Sequence, residues 1–172
     1  MDEKEKIFLS VLQGHKGIIY KVANTYCFDE SDRDDLIQEI TLQIWLSLEK
    51  FNKQYKWSTW IYRIALNTSI SFYRKNKIRK ENTVDLRPVI ELQRTDDEDL
   101  ENEDVILLKK FIRELREIDR ALILLHLEGL TSKEIAQIIN SSQTNVTTKI
   151  SRIKKKLALN FKEHKSKNYG KR

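Results

Sequence analysis

The chain has 172 residues, 40% of them hydrophobic and 34% charged, with a formal net charge of +6. That length holds one ordinary domain or two small ones. One proline and four glycines exclude an all-β fold, which needs turn residues at short intervals, so the fold class is all-α.

The basic balance suits a polyanionic partner. Cys27 is the single cysteine, so no intrachain disulfide can form and a reducing cytoplasm is the expected compartment. No apolar signal core opens the chain, and no apolar run approaches the roughly 18 residues of a membrane span. No membrane insertion is expected.

The first helical block runs from about Glu5. Ile7, Phe8, Val11 and Leu12 recur at helical spacing, followed by Ile18, Ile19, Val22, Ala23 and Tyr26. Ser31, ahead of an acidic run, suits a helix N-terminus through side-chain capping and the helix dipole. Ile37, Ile40, Ile44 and Leu48 then form one stripe, with Trp45 beside it. Phe51 to Trp57 breaks the pattern. Ser58 or Thr59 can cap the next helix, whose apolar side holds Trp60, Ile61, Ile64, Ala65, Thr68 and Phe72.

Basic residues close this block: Arg74, Lys75, Lys77, Arg79 and Lys80. From Glu91 to Asp104 eight acidic residues face only Arg94, and Pro88 precedes them, so the segment reads as a flexible linker. The second block starts near Val105, with Leu108, Phe111, Ile112 and Leu115 on one face. Ala121 to Leu127 is a further helical stretch, and Gly129 fits its C-terminal cap. The expected plan is two small helical domains, 1–80 and 105–163, with an acidic linker at 81–104 and a basic tail at 164–172.

Thr131 and Glu134 have the spacing of a reciprocal capping box. Ile135, Ala136, Ile138 and Ile139 supply the buried side of a short helix, and Asn140-Ser141-Ser142 reads as a turn. A longer helix starts near Gln143, with Val146, Ile150, Ile153 and Leu157 as its apolar stripe. At about 100° per residue, Thr144, Thr148, Ser151 and Lys155 lie opposite that stripe, with Arg152 alongside. Short capped helix, turn and basic second helix together make a helix-turn-helix. Small hydroxyl residues permit close approach to base edges, arginine can read guanine, and lysine can hold phosphates.

Three strings point further. Asp32-Arg33-Asp34-Asp35-Leu36-Ile37-Gln38-Glu39 is similar to a D-x-x-D-L-x-Q-E helix. Trp57-Ser58-Thr59-Trp60-Ile61-Tyr62-Arg63-Ile64-Ala65-Leu66-Asn67 resembles an F-x-T-W-L-Y-R-I-A-x-N segment. Glu128-Gly129-Leu130-Thr131-Ser132-Lys133-Glu134-Ile135-Ala136 resembles E-G-L-S-x-x-E-I-A. In this order they resemble the extracytoplasmic-function sigma factors, the smallest sigma subunits of bacterial RNA polymerase.

The resemblance implies a protein that binds core RNA polymerase and promoter DNA, melts the promoter, and is not itself an enzyme. Asp35, Gln38, Glu39 and Leu42 would contact polymerase. Phe51, Lys56, Trp57, Arg63, Ile64, Asn67, Arg74 and Lys75 would engage the minus-ten element, with Phe51, Ile64 and Asn67 at the positions that capture a flipped base. An apolar pocket with one amide suits an unstacked base. For Trp60, on the buried stripe, a core position is the expectation.

By the same resemblance Thr147, Thr148, Ser151 and Arg152, supported by Lys149, would read the minus-thirty-five element, with Thr144 and Lys155 on the same helix. Wheel geometry selects Thr148, Ser151 and Arg152 independently but turns Thr147 towards one flank. An anti-sigma factor is the further implied partner; no cofactor, metal or small-molecule substrate is expected.

The sequence departs from the family pattern twice. Thr144-Asn145-Val146-Thr147-Thr148-Lys149 stands where G-T-V-x-S-R is common, and Leu115-Arg116-Glu117 replaces the usual Leu-Pro. Two other readings compete: a one-component regulator, against which the Trp57 to Asn67 string counts, and a metal-dependent nuclease built on Asp32, Asp35 and Glu39, which lacks a second converging acidic cluster.

Overall fold

The computed structural model describes residues 2–82 and 102–169, and the described residues are entirely helical apart from turns. Most of the predicted linker lies outside them. Its ends, 81–82 and 103–104, belong to the flanking helices.

Three long helices form the N-terminal domain: α1 (Glu3–Tyr26), α2 (Glu30–Ser47) and α3 (Trp57–Asn82). The 3-10 turn Leu48–Lys50 ends α2. Val11, Ile19, Val22, Ala23 and Tyr26 from α1 meet Leu36, Ile40 and Ile44 from α2 and Ile61, Ala65 and Leu66 from α3, all buried. Apolar residues three and four apart put one stripe of each helix into this core. Trp60 is buried, as its stripe requires.

Two helix starts differ from expectation. Asp29, not Ser31, caps α2, and its carboxylate accepts the Asp32 amide at 3.1 Å. The carboxylate is the stronger partner for that helix end, and Ser31 falls inside the first turn. Likewise α3 begins at Trp57, because the Lys56 carbonyl accepts the Trp60 amide at 3.2 Å. Ser58 and Thr59 are therefore first-turn residues rather than caps.

The C-terminal domain packs α4 (Glu103–Arg113), α5 (Glu117–Leu127), α6 (Ser132–Ile139) and α7 (Gln143–Tyr169). Asn102 caps α4 through its side chain. α5 starts at Glu117, four residues before the predicted apolar stretch, because Glu117 and Asp119 suit the positive end of its dipole. Where the family places proline, Arg116 is the N-cap residue, and its guanidinium pairs with Asp119 at 3.1 Å.

Gly129 has φ +78, and the Gly129 and Leu130 amides donate to the His126 and Leu125 carbonyls, closing α5 as a Schellman turn. α7 continues six residues beyond the predicted tail boundary. Phe161 and His164 stand edge-on to Phe111, and Lys165 pairs with Asp104 at 3.3 Å, so 164 and 165 pack along α4.

The two domains touch through α3 against α5 and α6, and α1 against α5. At the centre is Arg120, 1% exposed. Its guanidinium donates to the carbonyls of Arg113 (2.6 Å), Leu115 (3.3 Å) and Thr25 (3.3 Å), and lies over the rings of Tyr26 and Tyr73, which themselves meet edge-on. Thr25 and Arg113 belong to the last turns of α1 and α4, whose carbonyls lack intrahelical partners. The last turn of α1 has no basic residue of its own. Arg120 thus places one cation against the negative ends of two helices.

Candidate nucleic-acid interface

The helix-turn-helix rests on local chemistry. The Thr131 hydroxyl accepts the Glu134 amide at 3.3 Å, while the Glu134 carboxylate accepts the Thr131 amide at 3.0 Å and its hydroxyl at 2.9 Å. These bonds hold the Glu134 carboxyl below its ordinary range, with the Lys56 cation adding to the effect. Asn140 adopts a left-handed conformation (φ 53, ψ 59) and turns the chain. Few residue types other than glycine take that geometry as readily.

Val146, Ile150, Ile153 and Leu157 are buried, fixing the rotation of α7. Thr144, Thr148, Ser151, Arg152 and Lys155 are exposed on it, and Lys149 is half-buried. Thr147 is exposed, its hydroxyl donates back to the Gln143 carbonyl, and it lines an open groove of about 430 Å³ together with Ser151, Lys154 and Lys155 of α7 and with His126 and Ser132. The structure thus leaves Thr144, Thr147, Thr148, Ser151, Arg152 and Lys155 exposed on α7, with Thr147, Ser151 and Lys155 in one groove rather than Thr147 turned away to a flank.

In the N-terminal domain Phe51 stacks on Trp57 (centroids 3.5 Å apart), and both meet Trp60 edge-on. Ile64 is half-buried and Asn67 exposed on the next turns of α3. The three rings form an aromatic platform at the start of α3, with Asn67 about two turns beyond Trp60 on the same helix. On α2, Asp35 and Gln38 are exposed, Glu39 accepts from Gln43 at 2.9 Å, and Leu42 and Leu46 are 48% and 58% exposed. Leu46 extends that apolar patch and was not anticipated, although it lies one helical turn after Leu42. Among the described residues no three His, Cys, Asp or Glu side chains cluster as metal ligands.

Three of the four basic residues assigned to the minus-ten element face the other domain. Arg63 donates to the Gln137 and Ile138 carbonyls at the end of α6, and stands over the Tyr55 ring. Lys56 pairs with Glu134 at 3.5 Å and Arg74 with Glu117 at 3.6 Å. Lys75 is exposed. Lys21 pairs with Glu128, which also accepts the Tyr62 hydroxyl at 3.4 Å. Burial and the Glu128 charge push the Tyr62 phenol up to about 12.

Sequence reading missed Arg120, Glu117 and Glu128 as contact residues. Arg120 precedes the predicted Ala121 to Leu127 stretch; only the observed start at Glu117 puts it in the first turn of α5, where the dipole disfavours a cation.

A capped helix-turn-helix with an exposed polar row, joined to a three-helix domain carrying an aromatic platform and a basic face, defines a two-domain helical DNA-binding protein. The family model for sigma-70 region 2 matches residues 11–78 and that for sigma-70 region 4 matches 106–157. RNA polymerase sigma factor SigZ of Bacillus subtilis is 32% identical over 133 residues, spanning 75% of this chain and 72% of SigZ. RNA polymerase sigma factor NccH of Alcaligenes xylosoxydans xylosoxydans is 24% identical over 157 residues, or 87% and 84% of the two chains. The solved structure of the sigma factor RpoE in complex with the anti-sigma factor NepR, from Bartonella quintana, has the same fold: TM-score 0.68 at 18% identity, over 94% of this chain and 98% of that one. The chain belongs to the sigma-70 family, as a sigma factor of the extracytoplasmic-function type. Sigma factors are transcription initiation factors rather than enzymes.

Proposed function

We propose that the chain binds core RNA polymerase in the cytoplasm, recognises promoters through two grips, and promotes their melting while polymerase performs the chemistry. Asp35, Gln38, Glu39 and Leu42 form the polymerase contact. Carboxylates around an exposed leucine suit a basic partner with an apolar seat. Phe51, Trp57, Ile64 and Asn67 take a flipped minus-ten base, while Lys56, Arg63, Arg74 and Lys75 hold phosphates. Thr144, Thr147, Thr148, Lys149, Ser151, Arg152 and Lys155 engage the minus-thirty-five element. The working domains on this reading are 1–80 and 105–163.

The observation that carries the proposal is the division of α7 between a buried apolar stripe and an exposed row of hydroxyl and basic residues. An anti-sigma protein is the expected regulator, by analogy with the RpoE–NepR complex. Transcription reconstituted from purified chain, core polymerase and a selected promoter library tests it. The expected result is a new, sequence-dependent start site. Asn67→Ala should keep polymerase binding and lose discrimination within the minus-ten element. A chain that neither binds core enzyme nor alters start-site selection overturns the proposal.

A further inference from the structure

Of the four cations assigned to the minus-ten grip, three are engaged by the C-terminal domain: Lys56 by Glu134, Arg74 by Glu117, and Arg63 by the end of α6. Lys21 beside them meets Glu128. The three glutamates come from three places in the C-terminal domain: the first turn of α5, the α5–α6 turn, and the first turn of α6. Arg63 meets unpaired last-turn carbonyls, which carry the negative end of the α6 dipole. Each group offers what a phosphate oxygen would offer.

We infer that this acidic edge of the C-terminal domain stands in for DNA phosphates on the basic face of the N-terminal domain, holding the free chain closed until nucleic acid displaces it. The inference rests on the reading of Lys56, Arg63 and Arg74 as DNA-binding groups. The same guanidinium and ammonium donors serve both ligands, so domain closure and DNA binding compete. Arg120 also supports closure, capping α1 across the interface, but donates to none of the three glutamates.

The three pairs are partly exposed, so each shifts the closure equilibrium only about twofold, and together about tenfold. While the open form is a minority, that factor appears directly as a gain in apparent DNA affinity. The test compares the full chain with Glu117→Gln/Glu128→Gln/Glu134→Gln, in which glutamine preserves the α6 capping box. Neutralising three acids raises DNA affinity through net charge alone. Asp34→Asn/Glu114→Gln/Glu163→Gln, with the same charge change at exposed sites, is therefore the control.

The probe is a fluorescent mixed-sequence 20-nucleotide single strand. Energy transfer between dyes on cysteines placed at Leu46 and Leu159, in a Cys27→Ala background, reports the separation of the domains.

The expected result is about a tenfold affinity gain for the interface variant beyond that of the control, with transfer falling as DNA binds. Equal gains in the two variants, or DNA binding with transfer unchanged, overturn the masking while leaving the promoter-grip reading intact. Absence of binding by every variant overturns both.

Discussion

Replacing Arg120 with methionine removes a guanidinium that serves both domains. The short bond to the Arg113 carbonyl and the longer ones to Leu115 and Thr25 together contribute about 5 kcal/mol, since each has a charged donor. The Tyr26 and Tyr73 faces add about 2 kcal/mol. Methionine recovers about half of that sum, because a desolvated cation without a counter-charge disappears and a thioether packs against the rings. The Arg120 Nε, without a hydrogen-bond partner among the described residues, makes the native arrangement less than ideal and enlarges the recovery. The net loss is about 3 kcal/mol, a large part of the stability of a domain this small.

Urea unfolding followed by two probes reads it. Trp45, Trp57 and Trp60, the only tryptophans, all lie in the N-terminal domain, so their fluorescence reports that domain alone, while helical circular dichroism reports both. The substitution lies in the C-terminal domain, yet the tryptophan transition should also move to lower urea. Arg74→Met, at a pair whose arginine is 62% exposed, should move either transition by less than about 1 kcal/mol. A loss below about 1 kcal/mol for Arg120→Met, or a tryptophan transition that stays put, would refute the account of Arg120 as a shared cap.

Thr131→Ala removes the hydroxyl half of the capping box and should cost about 1 kcal/mol, measured by urea unfolding under circular dichroism. It should also raise the Glu134 pKa, read by carboxyl NMR. That pKa is lowered in the native chain, so its contribution to stability is full above the unfolded carboxyl value and is lost as pH falls through the lowered one. Tyr62 behaves oppositely: the contribution from its raised pKa holds below the ordinary tyrosine value and is lost as pH rises through about 12. Tyr26 and Tyr62 are both raised by burial, Tyr26 the further, so phenolate absorbance should show two late-ionising groups, of which Tyr62→Phe removes the earlier and Glu128→Gln moves it to lower pH. Lys155→Ala should weaken minus-thirty-five duplex binding about equally across sequences and reduce the salt slope by about 1, in a filter-binding titration.

What the sequence made legible was chemistry settled within a turn or two. The Thr131–Glu134 box, the bend at Asn140 and the Val146 to Leu157 stripe each depend on neighbours no more than four residues apart, and the structure has all of them. The starts of α2 and α3 were less legible because several adjacent residues can cap a helix. At α2 the carboxylate of Asp29 outcompeted Ser31; at α3 the Phe51–Trp57 stack accompanies a start before Ser58. Arg120 was the least legible. Its role exists only where the ends of α1 and α4 converge, and no local pattern records that meeting. Lys56, Arg63 and Arg74 were readable as cations, but their pairing with Glu134, α6 and Glu117 depends on domain docking.

The bond from Arg120 to Thr25 spans 95 residues. At the ribosome this separation is a delay. Synthesis at about 5–20 residues per second puts roughly 5–20 s between the making of the α1 terminus and the making of the cation that closes it. Through that interval the nascent first domain holds its tyrosines and last-turn carbonyls against water, and it reaches its final stability only when the second domain emerges to complete it.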